Sequence, residues 1–152
     1  MLGKLNFPEF EFSFRKHSGN IEIFDSIRKK YVKNTPEEWV RQHLLRYLVE
    51  EKNYPASLIA VEFSLQYNGL KKRCDALVFN AEAQPLVLIE CKAPHIPINQ
   101  KVLEQIARYN FSLNVPYLVI SNGMKHYMVS CNSSPSGKNI HLIKEIPTFD
   151  AL

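Results

Sequence analysis

Two acids and a lysine stand at the ends of segments that otherwise hold hydrocarbon. Glu90-Cys91-Lys92 closes the apolar run Leu86-Val87-Leu88-Ile89, and Asp75 opens a second run through Ala76-Leu77-Val78-Phe79. A strand this rich in Leu, Val and Ile reads as buried on both faces. An ionised carboxylate or ammonium in such a place is strongly disfavoured unless an opposite charge compensates it. A divalent cation shared by the two acids, with a phosphate beside the lysine, would supply that compensation, because hard cations take carboxylate oxygens and water.

The spacing brings the acids together. Lys72 to Phe79 and Leu86 to Lys92 both read as strands, and Asn80-Ala81-Glu82-Ala83-Gln84-Pro85 is a polar link of hairpin length. A hairpin symmetric about that link sets Asp75 opposite Glu90, with Cβ atoms roughly 4.5–5.5 Å apart. Alternation places Glu90 and Lys92 on one side and Cys91 on the other. Like charges that close repel, and each tends to stay protonated without a cation between them. Cys74 falls opposite Cys91, on the face away from the carboxylates, as a small core residue. Two competing readings stay open: a structural salt bridge from Lys92 to one acid, and a register in which Asp75 and Glu90 never meet.

These groups need elements to hold them. Thr35-Pro36-Glu37-Glu38 starts a helix, with Thr at the N-cap, Pro at the first position and Glu38 completing a capping box. Val40, Leu44, Tyr47 and Leu48 form its apolar stripe. At about 100° per residue Glu37 projects into that stripe and Glu38 lies toward its edge. The cap accounts for Glu38, so Glu37 is the acid expected to reach the site, with Glu38 as the alternative. Val61 to Tyr67 alternates as a strand, and Asn68-Gly69 turns the chain back toward Asp75. After Pro94 and Pro97, a helix over Ile98 to Asn114 is expected to bury Val102, Ile106, Tyr109 and Leu113, with Gln105 on the side of Tyr109. Tyr117 to Ile120 reads as a buried strand and Lys125 to Cys131 as another. Asn132 to Asn139 reads as a mobile Ser/Pro/Gly loop, and His141 to Ile146 as a short edge strand. Upstream, Phe10 to Phe14 and Ile21 to Asp25 flank the turn Ser18-Gly19-Asn20 as a hairpin that extends or covers the sheet. The expected fold is α/β, one compact unit: an N-terminal hairpin extension over 1–34 and a body over 35–152. The body runs helix, three strands, helix, strand, with a mixed central sheet flanked by helices.

Asp75 followed on the next strand by Glu90-x-Lys92 resembles the signature of the PD-(D/E)XK nuclease superfamily. Three further stretches join it: Arg73-Cys74-Asp75 with Ile89-Glu90-Cys91-Lys92-Ala93-Pro94, the helix start Thr35 to Gln42, and Gln105-x-x-x-Tyr109. Together they resemble the N-terminal nuclease domain of type I restriction enzyme R subunits, over about Thr35 to Gly123. The resemblance implies a restriction-endonuclease-like αβββαβ core and a metal-dependent phosphodiesterase acting on DNA. It implies that Asp75, Glu90 and the main-chain carbonyl of Cys91 ligate Mg²⁺, with Mn²⁺ able to substitute. An acid of the first helix, Glu37 by the reading above, would support the metal through water. Lys92 would orient the attacking water, Gln105 would fix Lys92 or the scissile phosphate, and Tyr109 would support Gln105 or touch the backbone. The chain has no Gly-x-x-x-x-Gly-Lys-Ser/Thr loop. A separate motor or specificity subunit is therefore the expected partner if the nuclease does not act alone, and self-association is left open.

Bulk properties set bounds. With 152 residues, 45% hydrophobic and 22% charged, the chain has room for one core and is not dominated by disorder. No apolar run approaches the ~20 residues needed to span a bilayer, and the N-terminus lacks a signal-like stretch. A cytoplasmic location is expected, with the three cysteines kept as thiols. The net charge of +4 fits an anionic partner without demanding one. Lys71, Lys72 and Arg73, leading into Asp75, are the residues expected to hold a phosphate backbone. Two other classes remain: a non-catalytic nucleic-acid-binding or assembly subunit on the same core, and an interaction domain that binds no DNA.

Overall fold

The computed structural model describes residues 2–134 and 137–152, with side chains for 2–132 and 139–152. Three short strands come first, β1 (Phe14–His17), β2 (Asn20–Asp25) and β3 (Lys30–Lys33), and form an antiparallel sheet of their own. The helix α1 (Pro36–Lys52) follows, then β4 (Ile59–Val61), β5 (Ser64–Tyr67), β6 (Leu70–Arg73), β7 (Ala76–Phe79) and β8 (Pro85–Cys91). After these come α2 (Gln100–Ser112), β9 (Tyr117–Ser121), β10 (His126–Ser134) and β11 (Gly137–Ile143). The central sheet has six strands in the order β11-β10-β9-β8-β7-β4, while β5 and β6 form a separate two-stranded ribbon. Strands β8 and β9 run parallel, and the other pairs are antiparallel.

Local chemistry accounts for the helices. Thr35 Oγ1 accepts the Glu38 N–H at 3.1 Å and starts α1; Asn53, in the left-handed region at φ 61°, ends it. Val40, Leu44 and Leu48 bury one face of α1 on Ala76, Val78, Val87 and Ile89. Asn99 caps α2 by accepting the Val102 N–H at 2.9 Å. Ala107 and Leu113 then cover the opposite face of the sheet at Leu77, Leu88, Leu118 and Val129. Each fully buried Leu, Ile or Val contributes roughly 1.5–3 kcal/mol. A one-residue slip of β8 would drive Glu90 into the α1 core, so the register is held firmly.

The expected core order is present as α1, then β4, β7 and β8, then α2 and β9. The pairs Ala76↔Ile89, Leu77↔Leu88 and Val78↔Val87 match the symmetric hairpin, with an irregularity only at Val78/Phe79. Five expectations need correction. The strands read as Val61–Tyr67 and Lys72–Phe79 are each broken, at Glu62-Phe63 and at Cys74-Asp75. Glu62 takes φ 55°, and the bonds Glu62 N–H to Asp75 O (3.0 Å) and Cys74 N–H to Phe63 O (2.7 Å) carry the pairing across the break. The ribbon thereby leaves the sheet, which keeps Lys71 and Arg73 out of the core. The break also shifts the side-chain alternation: Cys74 lies in the α2 core and Cys91 in the α1 core, so they do not face each other. All three thiols are free and buried, and burial pushes Cys74 up to about 12.

At the N-terminus, Phe10 to Ser13 is not strand, and β1 begins only at Phe14. Phe12 instead packs on Trp39 and His43 with ring centroids 5.6 and 4.9 Å away, and the hairpin gains a third strand without joining the central sheet. The expected loop over Asn132 to Asn139 is mostly strand, with Ser133↔Lys138 and Ser134↔Gly137 paired; Pro135 and Ser136 lie outside the described residues. An edge hairpin with one wet face keeps its ladder whatever its side-chain polarity. Finally, α2 is rotated from the expected stripe. Asn110 is buried because its Nδ2 donates to Val115 O at 3.0 Å, and Tyr109 stays 39% exposed.

Candidate functional site

Asp75 occupies the break between β6 and β7, where its main-chain carbonyl accepts the Glu62 N–H at 3.0 Å. Its Oδ2 accepts the Cys91 N–H at 2.6 Å, a charge-assisted bond that aims the carboxylate at the end of β8. Continuing the β7–β8 register by one residue sets Asp75 against Glu90. Glu90 is only 7% exposed. Burial raises its proton affinity above the ordinary carboxylate range, and the charge of Asp75 adds to this against the opposing pull of Lys72. Lys72 Nζ lies 2.8 Å from Glu90 Oε1. The ammonium is the charge partner of that buried oxygen. Lys72 is itself held above the ordinary lysine value, since Glu90 outweighs burial. Lys92 is half-buried, and no polar partner for its side chain occurs among the described residues.

Asp75 thus comes close to Glu90, as the spacing expected, and the main chain of Cys91 lies beside them. Glu37 and Glu38 exchange places relative to expectation: Glu37 is exposed at the rim of a cleft and Glu38 is buried. Only half of the capping box forms, because the Thr35 N–H donates to Lys33 O and the Glu38 carboxylate turns inward. Gln105 is exposed on the outer side of α2. Tyr109 Oη donates to Lys71 O at 3.2 Å, so α2 meets the site region through the ribbon backbone. Lys71 and Arg73 are exposed, Arg73 Nη2 lies 3.0 Å from Glu62 Oε2, and Lys72 turns inward to Glu90.

The inward turn of Glu38 has a cause that the sequence reading missed. Arg41 grips it bidentately, with Nε–Oε2 at 2.9 Å and Nη2–Oε1 at 2.6 Å. Arg28 Nη2 donates to the same Oε1 at 2.9 Å and its Nε reaches Asp25 Oδ2 at 2.6 Å, while Gln42 bridges Asp25 and Glu38 at 3.0 Å each. On its other side Arg41 donates to the main-chain carbonyl of Asp75 at 3.3 Å and stands 4.0 Å from Asp75 Oδ1. Burial alone would raise Glu38 and Asp25, but the arginines and Gln42 hold both below the ordinary carboxylate range. Glu38 in turn drives Arg41 upward against its burial. This network borders a cleft of about 540 Å³ that opens beside Asp75 and Cys91. The i,i+3 pair Glu38–Arg41 was the available signal; Arg28, in the run Arg28-Lys29-Lys30, has no local spacing that points to Glu38. No group of three or more His, Cys, Asp or Glu side chains gathers as a metal cluster among the described residues.

A mixed α/β fold with a six-stranded sheet between two helices, and paired acids at a strand end, is the class that this geometry defines. The fold is similar to that of a fragment assigned as an HsdR subunit of a type I restriction enzyme from Vibrio vulnificus YJ016, with a TM-score of 0.53 and 18% identity. The match covers 77% of this chain and 24% of that one, so the chain spans about a quarter of the length of the structure it matches. The family model for the type I restriction enzyme R protein N terminus (HSDR_N) matches residues 36–147, and the chain belongs to that family. Among curated proteins, none matches. No described helix is long and apolar enough to cross a membrane.

Proposed function

We propose that the protein is a metal-dependent nuclease that hydrolyses phosphodiester bonds of DNA at the Asp75–Glu90–Lys92 centre, in the manner of PD-(D/E)XK enzymes. The observation that carries this reading is the convergence of two carboxylates at the β7–β8 end, close enough that the charge of Asp75 raises the proton affinity of buried Glu90. Asp75, Glu90 and the Cys91 carbonyl would hold Mg²⁺ or Mn²⁺, and an all-oxygen donor set completed by water suits a hard cation. Bound there, the ion would polarise the phosphoryl oxygen and lower the pKa of a water. The chain's own groups do the rest. The Cys91 N–H fixes the Asp75 carboxylate before substrate arrives. Arg41 pins the main chain at the same residue. Lys92, half-buried and with no polar side-chain partner among the described residues, would orient the water and offset charge developing on phosphate. Glu37 at the cleft rim would act through water. Lys71, Arg73 and the exposed Gln105 would contact the backbone of the nucleic acid, with Tyr109 steadying the ribbon. A cytoplasmic enzyme working with a separate motor or specificity subunit is the setting this reading implies.

The test is cleavage of end-labelled single- and double-stranded DNA in Mg²⁺ or Mn²⁺. Asp75→Ala and Lys92→Ala are expected to lower it by about 100-fold or more with melting temperatures close to the parent. Undiminished cleavage by the double variant refutes the assignment. The pairing of Glu90 with Lys72 and the approach of Arg41 to Asp75 favour a second reading, a nucleic-acid-binding domain whose charges compensate one another. Salt-dependent DNA binding without cleavage of any substrate in Mn²⁺ identifies that case.

A further inference from the structure

Lys72 is the cation that a simple backbone-binding role does not explain. Residues 63–74 carry Lys71, Lys72 and Arg73 and no acid. The ribbon's outer face shows Gln66, Lys71 and Arg73 to solvent, yet Lys72 points the other way, onto Glu90. The ribbon backbone is fixed: Leu65, the cross-strand partner of Lys72, is buried in the α2 core, and Tyr109 ties Lys71 O to α2. The Lys72 side chain is not fixed in that way, being one-third exposed on a flexible four-carbon stem. Exchanging its partner therefore takes a rotamer change and no refolding. Glu90 has no other cation within ion-pair distance among the described residues, because Arg41 is committed to Glu38 and Asp75.

We propose that Lys72 is a stand-in cation: it neutralises Glu90 in the free protein and moves to a phosphate when nucleic acid settles on Lys71 and Arg73, opening Glu90 to a divalent ion. The inference rests on the nuclease reading and adds an order of events to it. Metal and nucleic acid load cooperatively, and the free protein holds metal weakly. By linkage, the factor by which a duplex tightens metal binding is the factor by which metal tightens duplex binding.

Calorimetric titration of the full chain with Ca²⁺, at mildly alkaline pH and with or without a short duplex, tests this without relying on turnover. The wild type is expected to bind Ca²⁺ about tenfold more tightly with duplex than without. Lys72→Met is expected to bind Ca²⁺ without duplex about as tightly as the wild type does with it, so that the duplex no longer changes the affinity. Lys72→Arg, which keeps the charge should the Met variant fold poorly, is expected to bind as weakly as the wild type when duplex is absent. Lys71→Met is expected to weaken duplex binding and leave metal binding by the free protein unchanged. A Lys72→Met protein no tighter for Ca²⁺ than the wild type, or a Lys72→Arg protein as tight as wild type plus duplex, overturns the stand-in role and leaves the nuclease reading standing. Failure of the wild type to bind Ca²⁺ or Mn²⁺ even with duplex overturns both.

Discussion

A buried carboxylate is tolerated only while its cations stay with it, and Glu38 is held by two arginines and an amide. Glu38→Ala leaves Arg41 inside without its main counter-charge, and removing one partner of a buried pair typically costs about 3–5 kcal/mol; urea unfolding at neutral pH measures it. Because Glu38 and Asp25 titrate below their ordinary values in the folded protein, the unfolded chain binds more protons as the solution is acidified through the usual carboxylate range. Stability is thus present in full above about pH 5, and is lost as pH falls below about 4 and through the depressed folded values. A Glu38→Gln protein is expected to show a shallower acid limb in the same series. Glu90 carries the opposite sign, since its proton affinity is raised. Glu90→Gln should therefore melt higher than the wild type in chelator at pH 7, and should lose any melting increment that Mg²⁺ gives the parent. The β7–β8 register was legible because hairpin symmetry is local. The inward turn of Glu38 was not, because helical-wheel arithmetic counts apolar neighbours and cannot see Arg28 arriving from another segment.

At the scale of elements, turns and crossings set what a substitution costs. Gly123 follows β9 at φ 87°, and a Cβ there would lie 2.8 Å from Leu5 Cδ2 and 3.1 Å from Val40 Cγ2. Its carbonyl accepts the Asn6 N–H at 2.8 Å, so the turn clamps the N-terminal segment onto α1. Gly123→Ala is expected to cost about 1–3 kcal/mol by thermal melting. A Leu5→Ala background should return the part due to contact and not the part due to backbone strain. The helices and most strands were readable from caps and periodicity. The breaks at Glu62 and Cys74 were not, because neither carries a turn-forming dipeptide; the ribbon leaves the sheet for reasons of packing. The rotation of α2 escaped for a similar reason. Asn110 looks like a surface residue until Val115 O and Cys131 Sγ are seen to satisfy it.

For the whole molecule, the proposed activity makes salt the informative variable. Duplex affinity should fall linearly on a log–log plot against salt, and Lys71→Ala should reduce the slope by about one while weakening all sequences alike; fluorescence anisotropy over a salt series reads both. A slope that does not change removes Lys71 from the interface. The ionic chain from Asp25 through Arg28, Glu38 and Arg41 to Asp75 reaches from the small N-terminal sheet to the carboxylate at the break before β7. Trimming the protein back to Thr35 would therefore remove none of the nominated chemical groups and still loosen one of them, since Glu38 would lose Arg28 and be left to Arg41 and Gln42. The leading residues and the Asp75 end of β7 are thus joined by one continuous run of charged contacts.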